Sequence, residues 1–366
     1  QLLCEQEGRW RPVTLCSAPT GVVAASQCDD LPSDQLQRGV RPDYMSAVVL
    51  TSLPRTDQAT VLETAPLEMP TTAFSLPTVM QLNSANLPQQ RVIHNAQELT
   101  LLWGDLHEHT DLSQCLRRPN PPGHDLFANV RDIEKLDFCA LTDHGFNFDP
   151  PQWAYNGEQT RNSHDPGRFV TFLGQEWTSS QNPPAYPGLP HRYGHRNLIF
   201  LDPYFGQFYD AYDGDISPAD LWTQLEGTEY ICIPHQLADW QFEGTTNPPT
   251  DWSVVDETLQ PVAEIWQHRG SYEYHGCPKQ ARYCTPFQGY FLQDAWAKGV
   301  IAGVIASPDH GGGYGKVGVW APELTRESLF AAIRARHTFG TSGAKMALWF
   351  GAGAAMMGDK LEHPNG

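Results

Sequence analysis

The sequence predicts an α/β protein whose strands form a parallel barrel or a related wound sheet. Seven short apolar runs follow one another after about residue 97, and helical patterns lie between several of them. Residues that can bind metal stand directly after most of these runs. The chain has 366 residues, which exceeds one ordinary domain but suits a barrel with additional segments.

The strand candidates are short apolar runs bounded by polar or turn-forming residues. In chain order they are ELTLLWG, LDFCALT, RFVTFLG, RNLIFL, YICIP, VAEIW and VIAGVIA. Helical periodicity is found in HDLFANVRDIEKL, PADLWTQL, FLQDAWAKG and TRESLFAAIRARH. Residues 145–167 and 178–194 are rich in Pro, Gly and Asn, and we expect them to be long loops.

Residues 1–96 are expected to form an N-terminal extension, β-rich or irregular, that precedes a barrel over residues 97–366. The extension is rich in Pro, Thr, Ser and Gln and contains short β-prone pieces such as SAVVL. It also holds three closely spaced cysteines, at positions 4, 16 and 28. That pattern is typical of a disulfide-stapled segment in an oxidising compartment.

Four further cysteines fall into two classes. Cys277 and Cys284 are spaced so that they could close a second small disulfide loop. Cys139 and Cys232 lie inside apolar runs, and we expect them to be free buried thiols.

The charge balance restricts the classes of partner. The chain carries 42 acidic and 24 basic residues, a net charge of −18, which argues against general binding of nucleic acid or anionic membranes. No apolar run approaches the ~20 residues of a membrane-spanning helix. The chain does not open on a signal-peptide pattern, so an exported protein would already be processed. We expect a periplasmic or secreted location, otherwise a cytoplasmic one.

The residues after the apolar runs form a coherent set of metal donors. The carboxyl ends of barrel strands converge on one site, and imidazole and carboxylate are the ligands of Zn, Mn and Fe. His107 and His109 alternate along one strand and therefore point the same way. His195 stands before its run, at the wrong end of a parallel strand. The candidates at the strand ends are Asp105, His107, His109, Asp143, His144, Glu176, His235, His268, Asp309 and His310.

The ordered motifs GDLHEHT, ALTDHG, FLGQEW, GHRNLIF, IPH and ASPDHGG resemble those of the PHP (polymerase and histidinol phosphatase) superfamily of metal-dependent phosphoesterases. Within it, the closest resemblance is to the DUF3604 proteins, because LTRESLFAAIRARHTFGTSGAKMALWF follows the last metal motif. The resemblance covers about residues 97–358.

The resemblance implies a distorted seven-stranded (β/α) barrel that holds two or three divalent ions, of Zn, Mn or Fe. Two positions depart from the family pattern. Ser113-Gln114-Cys115 stands where an acidic or histidine ligand is common, and Pro308 occupies the place of the last Asp, with Asp309 beside the final histidine. The ligands that the resemblance implies are His107, His109, His144, Glu176, His195, His235 and His310, with Asp309 as a substitute ligand.

These features predict a metal-dependent hydrolase in which a metal-bridged hydroxide cleaves a phosphoester, mono- or diester, or a similar anionic ester. Asp143 is expected to orient an imidazole or hold a proton, or equally to cap the end of its strand. His268 is a candidate metal ligand, general acid or wall of the pocket. Arg196 and Arg269 are candidates to bind the anionic substrate, a small molecule or a saccharide-linked ester. The oligomeric state stays open.

Three alternatives remain at this stage. An amidohydrolase-like enzyme also carries H-x-H after its first strand, but its bridging lysine has no counterpart at the end of a middle run. A hydrolase of sulfate or glycoside type could use the same metal site. A non-catalytic module that binds carbohydrate or a partner, on a decayed barrel, would suit the many aromatic residues of the long loops.

Overall fold

The computed structural model describes the backbone of residues 2–6, 9–18 and 21–25, and both backbone and side chains of 89–113, 120–178, 193–210, 216–239, 248–282, 284–285, 288–310 and 315–361. The chain divides into two compact units, residues 1–75 and 76–366. In the first unit, three antiparallel strands follow one another: β1 Leu2–Gln6, β2 Arg9–Ala18 and β3 Gly21–Ala25. The predicted N-terminal disulfides lie outside the described side chains.

All seven predicted apolar runs form strands of the second unit. Six further strands among the described residues of this unit were not predicted. In two of them, Lys316–Ala321 and its partner Thr338–Thr341, glycine interrupts the apolar pattern. The strands are β4 Arg91–His94, β5 Gln97–Glu108, β6 Phe138–Leu141, β7 Val170–Thr178, β8 His195–Phe200, β9 Tyr230–His235, β10 Val262–Gln267, β11 Gly270–Ser271, β12 Gly303–Ala306, β13 Lys316–Ala321, β14 Thr338–Thr341, β15 Gly351–Ala352 and β16 Ala355–Met356.

The four predicted helices are confirmed, and a fifth was missed. The five helices of the described residues are α1 Gly123–Ala128, continued by a π-helical turn over Asn129–Ile133, α2 Pro150–Asn162, α3 Pro218–Gln224, α4 Leu292–Ala297 and α5 Arg326–Arg334. The helix that was not predicted is α2.

The expectation of a loop over 145–167 is wrong, because α2 occupies much of it. Asp149 and Gln152 form a capping box, and proline fills the first helical position. The buried face includes Asn156, Gln159 and Thr160, so the helix has no apolar stripe to detect.

The strands form a mixed sheet rather than the expected parallel barrel. The main sheet is a curled half-barrel in the order β14-β13-β5-β6-β7-β8-β9, with β4 on β5. Its only parallel neighbours among the described strands are β5 with β6 and β6 with β7, whereas β8 is antiparallel to both of its neighbours. A smaller sheet, β11-β10-β12, lies beside β9 and β14 without a continuous ladder to either. Among the described residues the hydrogen-bonded ladders do not close, so the expected seven-stranded barrel is not confirmed.

The principal core lies between the main sheet and α5. Leu102, Phe138, Phe172 and Val317 from four strands pack together with Leu329 of α5, and all are buried. Truncating such a side chain costs about 2–5 kcal/mol.

One glycine is needed for this packing. A Cβ on Gly104 of β5 would lie 2.2 Å from Cε2 of Phe138, so any side chain there would displace the aromatic ring.

Of the two predictions about the described cysteines, one is confirmed and one is wrong. Cys139 and Cys232 are free and buried, as expected. Cys277 and Cys284 are also free, so the predicted second disulfide loop is wrong. The Sγ of Cys277 instead faces the carbonyl oxygen of Ser271 at 3.9 Å. Among the described residues, no helix has the length and apolarity to cross a bilayer.

Candidate metal centre

The first pair of imidazoles projects from the end of β5. His107 and His109 are both buried, and their Nε2 atoms lie 3.3 Å apart. The end of β5 is held by the segment after β12, where the Asp309 amide donates to the His107 carbonyl at 3.1 Å and Ser307 Oγ accepts from the Leu106 amide at 3.2 Å. The strand periodicity that aligned the two rings in the sequence is thus present in the structure.

Glu176 of β7 lies at the middle of the cluster. Its Oε2 is 3.1 Å from His109 Nε2 and 3.5 Å from His107 Nε2. Its Oε1 is 3.3 Å from His144 Nδ1 and 3.4 Å from His235 Nε2. One carboxylate therefore faces imidazoles with both oxygens.

The direction of β8 explains His195. Because β8 runs antiparallel, His195 at its start pairs with Thr178 at the end of β7 and with His235 at the end of β9. Its Nδ1 lies 2.6 Å from Glu176 Oε1. The residue that stood at the wrong end of a parallel strand is therefore at the correct end of an antiparallel one.

Asp309 and His310 come to the cluster from the other side. Asp309 Oδ1 lies 3.6 Å from His107 Nε2, 3.4 Å from His109 Nε2 and 3.0 Å from His310 Nε2. The Asp309 backbone has φ of 72°, in the left-handed region that non-glycine residues rarely adopt. This backbone turns the carboxylate toward the imidazoles although Pro308 occupies the preceding position.

Three supporting side chains were not recognised in the sequence. Glu264 Oε2 lies 2.8 Å from His107 Nδ1, Ser113 Oγ lies 2.8 Å from His109 Nδ1, and Thr178 Oγ1 lies 3.0 Å from His144 Nδ1. Glu264 and Ser113 each fix an imidazole through the nitrogen that faces away from the cluster, an arrangement common around metal ligands. Thr178 instead contacts the same His144 nitrogen that faces Glu176. The available signal for Glu264 was a lone charge inside the apolar run VAEIW.

The carboxylates of the cluster stay ionised despite their burial. Burial acts to raise the pKa of Glu176, but the nearby His144, His235 and His195 hold it well below its usual range. For Asp309 burial has the same tendency, and His310, His107 and Arg269 outweigh it, so that its pKa is also well below normal.

The imidazoles divide into two protonation classes. Burial, aided by the charge of His107, lowers the pKa of His235 to about 3, which leaves a neutral ring with a free lone pair. Burial opposes the protonation of His107, but Glu264 and Asp309 raise its pKa well above the usual value. A cation bound at the cluster would replace the charge of the His107 proton.

The donors fit divalent metal ions. Three sets have ligand atoms that all lie within 4.8 Å of one another: His107, Glu176 and His235; His107, His109 and Asp309; and His109, His144 and Glu176. Both ring nitrogens of the buried His235 lack a hydrogen-bond partner, a costly arrangement unless something else satisfies them. Neutral imidazole and ionised carboxylate are the forms that bind Zn, Mn and Fe. We call the eight residues His107, His109, His144, Glu176, His195, His235, Asp309 and His310 the metal centre.

The carboxylate of Asp143 contacts the residue Thr110, just after β5. Its Oδ1 accepts from the Thr110 amide and its Oδ2 from the Thr110 hydroxyl, each at 2.7 Å. Both oxygens thus fasten the chain after β5 and neither orients the imidazole of His144.

His268 lies at the edge of the metal centre. Its side chain is 31 % exposed, and its ring centroid is 5.7 Å from that of His310. Nδ1 lies 2.8 Å from the Pro308 carbonyl oxygen. The ring is therefore held in place and still open on one side.

The two arginines predicted to bind substrate are placed differently. Arg196 points to the opposite face of β8 from His195, where its guanidinium lies 5.9 Å from the Trp177 ring and donates to the Tyr193 carbonyl. Arg269 lies next to the metal centre but donates to Asp309 Oδ2 at 2.8 Å. The structure brings Arg269, and not Arg196, to the cluster.

Comparisons with known proteins agree with the motifs. A family model described as "Protein of unknown function (DUF3604)" matches residues 293–366, which confirms the resemblance to the DUF3604 proteins. An uncharacterized protein of Chlamydia pneumoniae is 22 % identical over 343 residues, covering 83 % of this chain and 50 % of that protein. The chain thus spans about half the length of this curated relative.

Solved structures with similarity to the chain have low TM-scores. One is a two-domain protein from Bacteroides vulgatus, described as containing a predicted PHP-like metal-dependent phosphoesterase. Its TM-score is 0.42 at 16 % identity, and the match covers 70 % of this chain and 68 % of the Bacteroides chain. PsfC from Pseudomonas syringae has a TM-score of 0.43 at 15 % identity, with coverage of 67 % and 93 %. Endonuclease Q in complex with a 27-mer duplex has a TM-score of 0.36 at 13 % identity, with coverage of 64 % and 56 %.

Proposed function

We propose that the protein is a metal-dependent hydrolase that cleaves a phosphoester, mono- or diester, or a similar anionic ester. The observation that carries this proposal is the position of Glu176, whose ionised carboxylate faces imidazoles with both of its oxygens. A carboxylate placed in this way is suited to bridge two ions.

The eight residues of the metal centre would hold two or three divalent ions. Such ions, when bound, lower the pKa of a water molecule and offset the negative charge of an ester oxygen. The chain's own part is to fix the donors: Glu264, Ser113 and Thr178 hold three of the imidazoles, and the Asp143–Thr110 hydrogen bonds fasten the loop after β5. Rigid donors keep the site ready for substrate.

His268 is the candidate for proton transfer. A carbonyl oxygen can only accept, so the contact with Pro308 places the proton of neutral His268 on Nδ1 and leaves Nε2 as an acceptor. The sequence suggested a general acid; this tautomer instead favours a base that takes a proton from water or from a substrate hydroxyl. Its partial exposure gives a substrate access to the ring.

The site also bears on the alternative readings. All six lysines of the sequence are described, and none is one of the eight residues of the metal centre; the buried Lys316 binds Glu134. The bridging lysine of an amidohydrolase-type centre thus has no counterpart in the described cluster. A decayed, non-catalytic barrel would retain buried ionised carboxylates and unpartnered imidazoles with nothing to offset their cost.

The test combines metal analysis with an ester screen. Protein purified without chelator is measured for Zn, Mn and Fe, then assayed with p-nitrophenyl phosphate, bis(p-nitrophenyl) phosphate and p-nitrophenyl sulfate with added Mn²⁺ or Zn²⁺. We expect bound metal and metal-dependent turnover of a phosphate ester that His109→Ala abolishes. Absence of bound metal contradicts the proposal, and full activity of His109→Ala would place the active site elsewhere.

A surface variant serves as the matched control. Arg168→Gln removes a charge from an exposed Arg168–Asp165 pair with a distance of 3.7 Å, and its arginine side chain is 73 % exposed. It should keep the metal content and activity of the wild type. Loss of activity in this variant as well would show that the assay reports general damage.

A further inference from the structure

The guanidinium of Arg269 contacts Oδ2 of Asp309, the oxygen that does not face His107, His109 and His310. Its Nη1 donates to Asp309 Oδ2 at 2.8 Å and to Gln267 Oε1 at 2.5 Å. The side chain is only 15 % exposed. Arg269 is therefore held within the protein rather than presented to a substrate.

This contact gives the two oxygens of Asp309 different surroundings. Oδ2 receives Arg269 and lies 3.5 Å from Gln236 Nε2. Oδ1 faces the Nε2 atoms of His107, His109 and His310 at 3.6, 3.4 and 3.0 Å. Only Oδ1 is directed toward the metal centre.

Arg269 is itself held by a second aspartate. Asp239 Oδ2 lies 3.8 Å from Arg269 Nε, and Asp239 Oδ1 accepts from the Tyr272 hydroxyl at 2.5 Å. Asp239 and Tyr272 are both buried. The chain of contacts from Tyr272 through Asp239 and Arg269 ends at Asp309, so the guanidinium has little freedom to move.

We propose that Arg269 is a positioning residue of the metal centre: by holding Oδ2 of Asp309, it directs Oδ1 toward His107 and His109, with which it would hold a divalent ion. This inference rests on the proposed function, since it requires that the centre binds metal. It replaces the expectation, made from the sequence, that Arg269 binds substrate.

The inference has a consequence for one ion only. Of the three sets of donors, Asp309 belongs to the set with His107 and His109, whereas the other two sets use Glu176. Without Arg269 the carboxylate of Asp309 can rotate, and the ion in its set loses a fixed ligand. Loss of such a supporting contact typically weakens metal binding by about 10- to 100-fold.

The experiment measures Zn²⁺ binding, because affinity reports the role without requiring a substrate. Metal-free wild type, Arg269→Gln, Asp309→Asn and the double variant are titrated with Zn²⁺ by calorimetry, with Arg168→Gln as the exposed arginine control. We expect Arg269→Gln to weaken one class of site by about 10- to 100-fold while the remaining sites keep their affinity. In the double variant, Arg269→Gln should add nothing to the effect of Asp309→Asn, because Arg269 acts through Asp309.

Two outcomes would overturn the inference. The first is wild-type affinity at every site in Arg269→Gln; the second is an equal further loss when Arg269→Gln is added to Asp309→Asn. Circular dichroism checks folding, and Arg269→Lys, which keeps the charge, is expected to restore part of the affinity even if the glutamine variant unfolds. A wild-type protein that binds no Zn²⁺, Mn²⁺ or Fe²⁺ would instead contradict the proposed function, so the two failures are distinguishable.

Discussion

Two neighbouring sites beside β5 contain buried carboxylates, and the pKa values of these carboxylates shift in opposite directions at the two sites. One is the metal centre. The other is an acid–lysine network formed by Asp105, Glu108, Glu134 and Lys316, in which the Lys316 ammonium bonds the Glu134 carboxylate. In this network the chain supplies its own cation.

The carboxylates of the acid–lysine network and of the metal centre differ in the direction of their pKa shifts. In the acid–lysine network, burial raises the pKa of Asp105 to about 7 although Lys316 opposes the shift, and burial together with Asp105 raises that of Glu108 well above normal. In the metal centre, Glu176 and Asp309 stay ionised. The network therefore tends toward neutral, proton-sharing acids, whereas the centre keeps charged carboxylates beside the neutral ring of His235 and the protonated ring of His107. A bound metal ion would replace the charge of the His107 proton.

The largest expected effect is at Glu176. Glu176→Gln removes the charge that faces imidazoles on both sides, so we expect loss of bound metal and a fall in hydrolysis of at least about 10³-fold. Metal content by mass spectrometry and the ester assay measure the two effects. Retention of both in the glutamine variant would mean that the charge of Glu176 is not needed.

The acid–lysine network should respond in stability instead. Lys316→Met leaves buried acids without their cation and should lower the free energy of unfolding by about 3 kcal/mol in urea titrations. Metal binding by the folded fraction should be unchanged.

The control for this variant is Lys360→Met. Lys360 pairs with Glu257 at 3.0 Å at the surface, with 54 % of its side chain exposed, and its loss should change stability by less than about 1 kcal/mol. Equal effects of the two lysine variants would contradict the contrast between buried and exposed ion pairs.

Metal itself should stabilise one region and not the other. A free ion concentration near 100 times the dissociation constant adds about 2.7 kcal/mol to the free energy of unfolding, so chelation should lower the melting temperature. The shift should persist in Lys316→Met and be lost in Glu176→Gln. A chelator effect of the same size in the glutamine variant would place the stabilising ion outside the metal centre.

The smallest expected effect concerns the contact behind His107. Glu264→Gln keeps the shape of the side chain but weakens its hold on Nδ1, and we expect about tenfold weaker binding of Zn²⁺ in calorimetry. Gln267, which donates to Glu264 at 3.1 Å, is a neighbour whose exchange for Glu tests the same contact from the other side. Unchanged affinity in Glu264→Gln would limit its role to packing.

The sequence predicted seven of the strands and most of the donors, because apolar runs and the residues after them are local features. It could not predict the direction of β8, since a period of two residues reads the same in a parallel or an antiparallel strand. For this reason the strand positions placed His195 at the wrong end for a ligand, and Arg196 was expected to bind substrate. The two residues are adjacent in sequence and point to opposite faces of β8.

Other misses have the same origin in long-range contacts. The helix α2 buries polar side chains, so its pattern resembles a loop. The partner of Asp143 is Thr110 and that of Asp309 is Arg269, pairs 33 and 40 residues apart. Only the fold brings such pairs together, and no local sequence pattern predicts them.

Anomalous diffraction from crystals grown with Zn²⁺ tests the central claim most directly. The account predicts peaks at coordination distance, about 2.0–2.3 Å, from the oxygens of Glu176 and the nitrogens of its neighbouring imidazoles. A peak should also lie beside Asp309 Oδ1, with Arg269 on Oδ2. Crystals that contain Zn²⁺ but show no peak at Glu176 would contradict the assignment of this cluster as a metal centre.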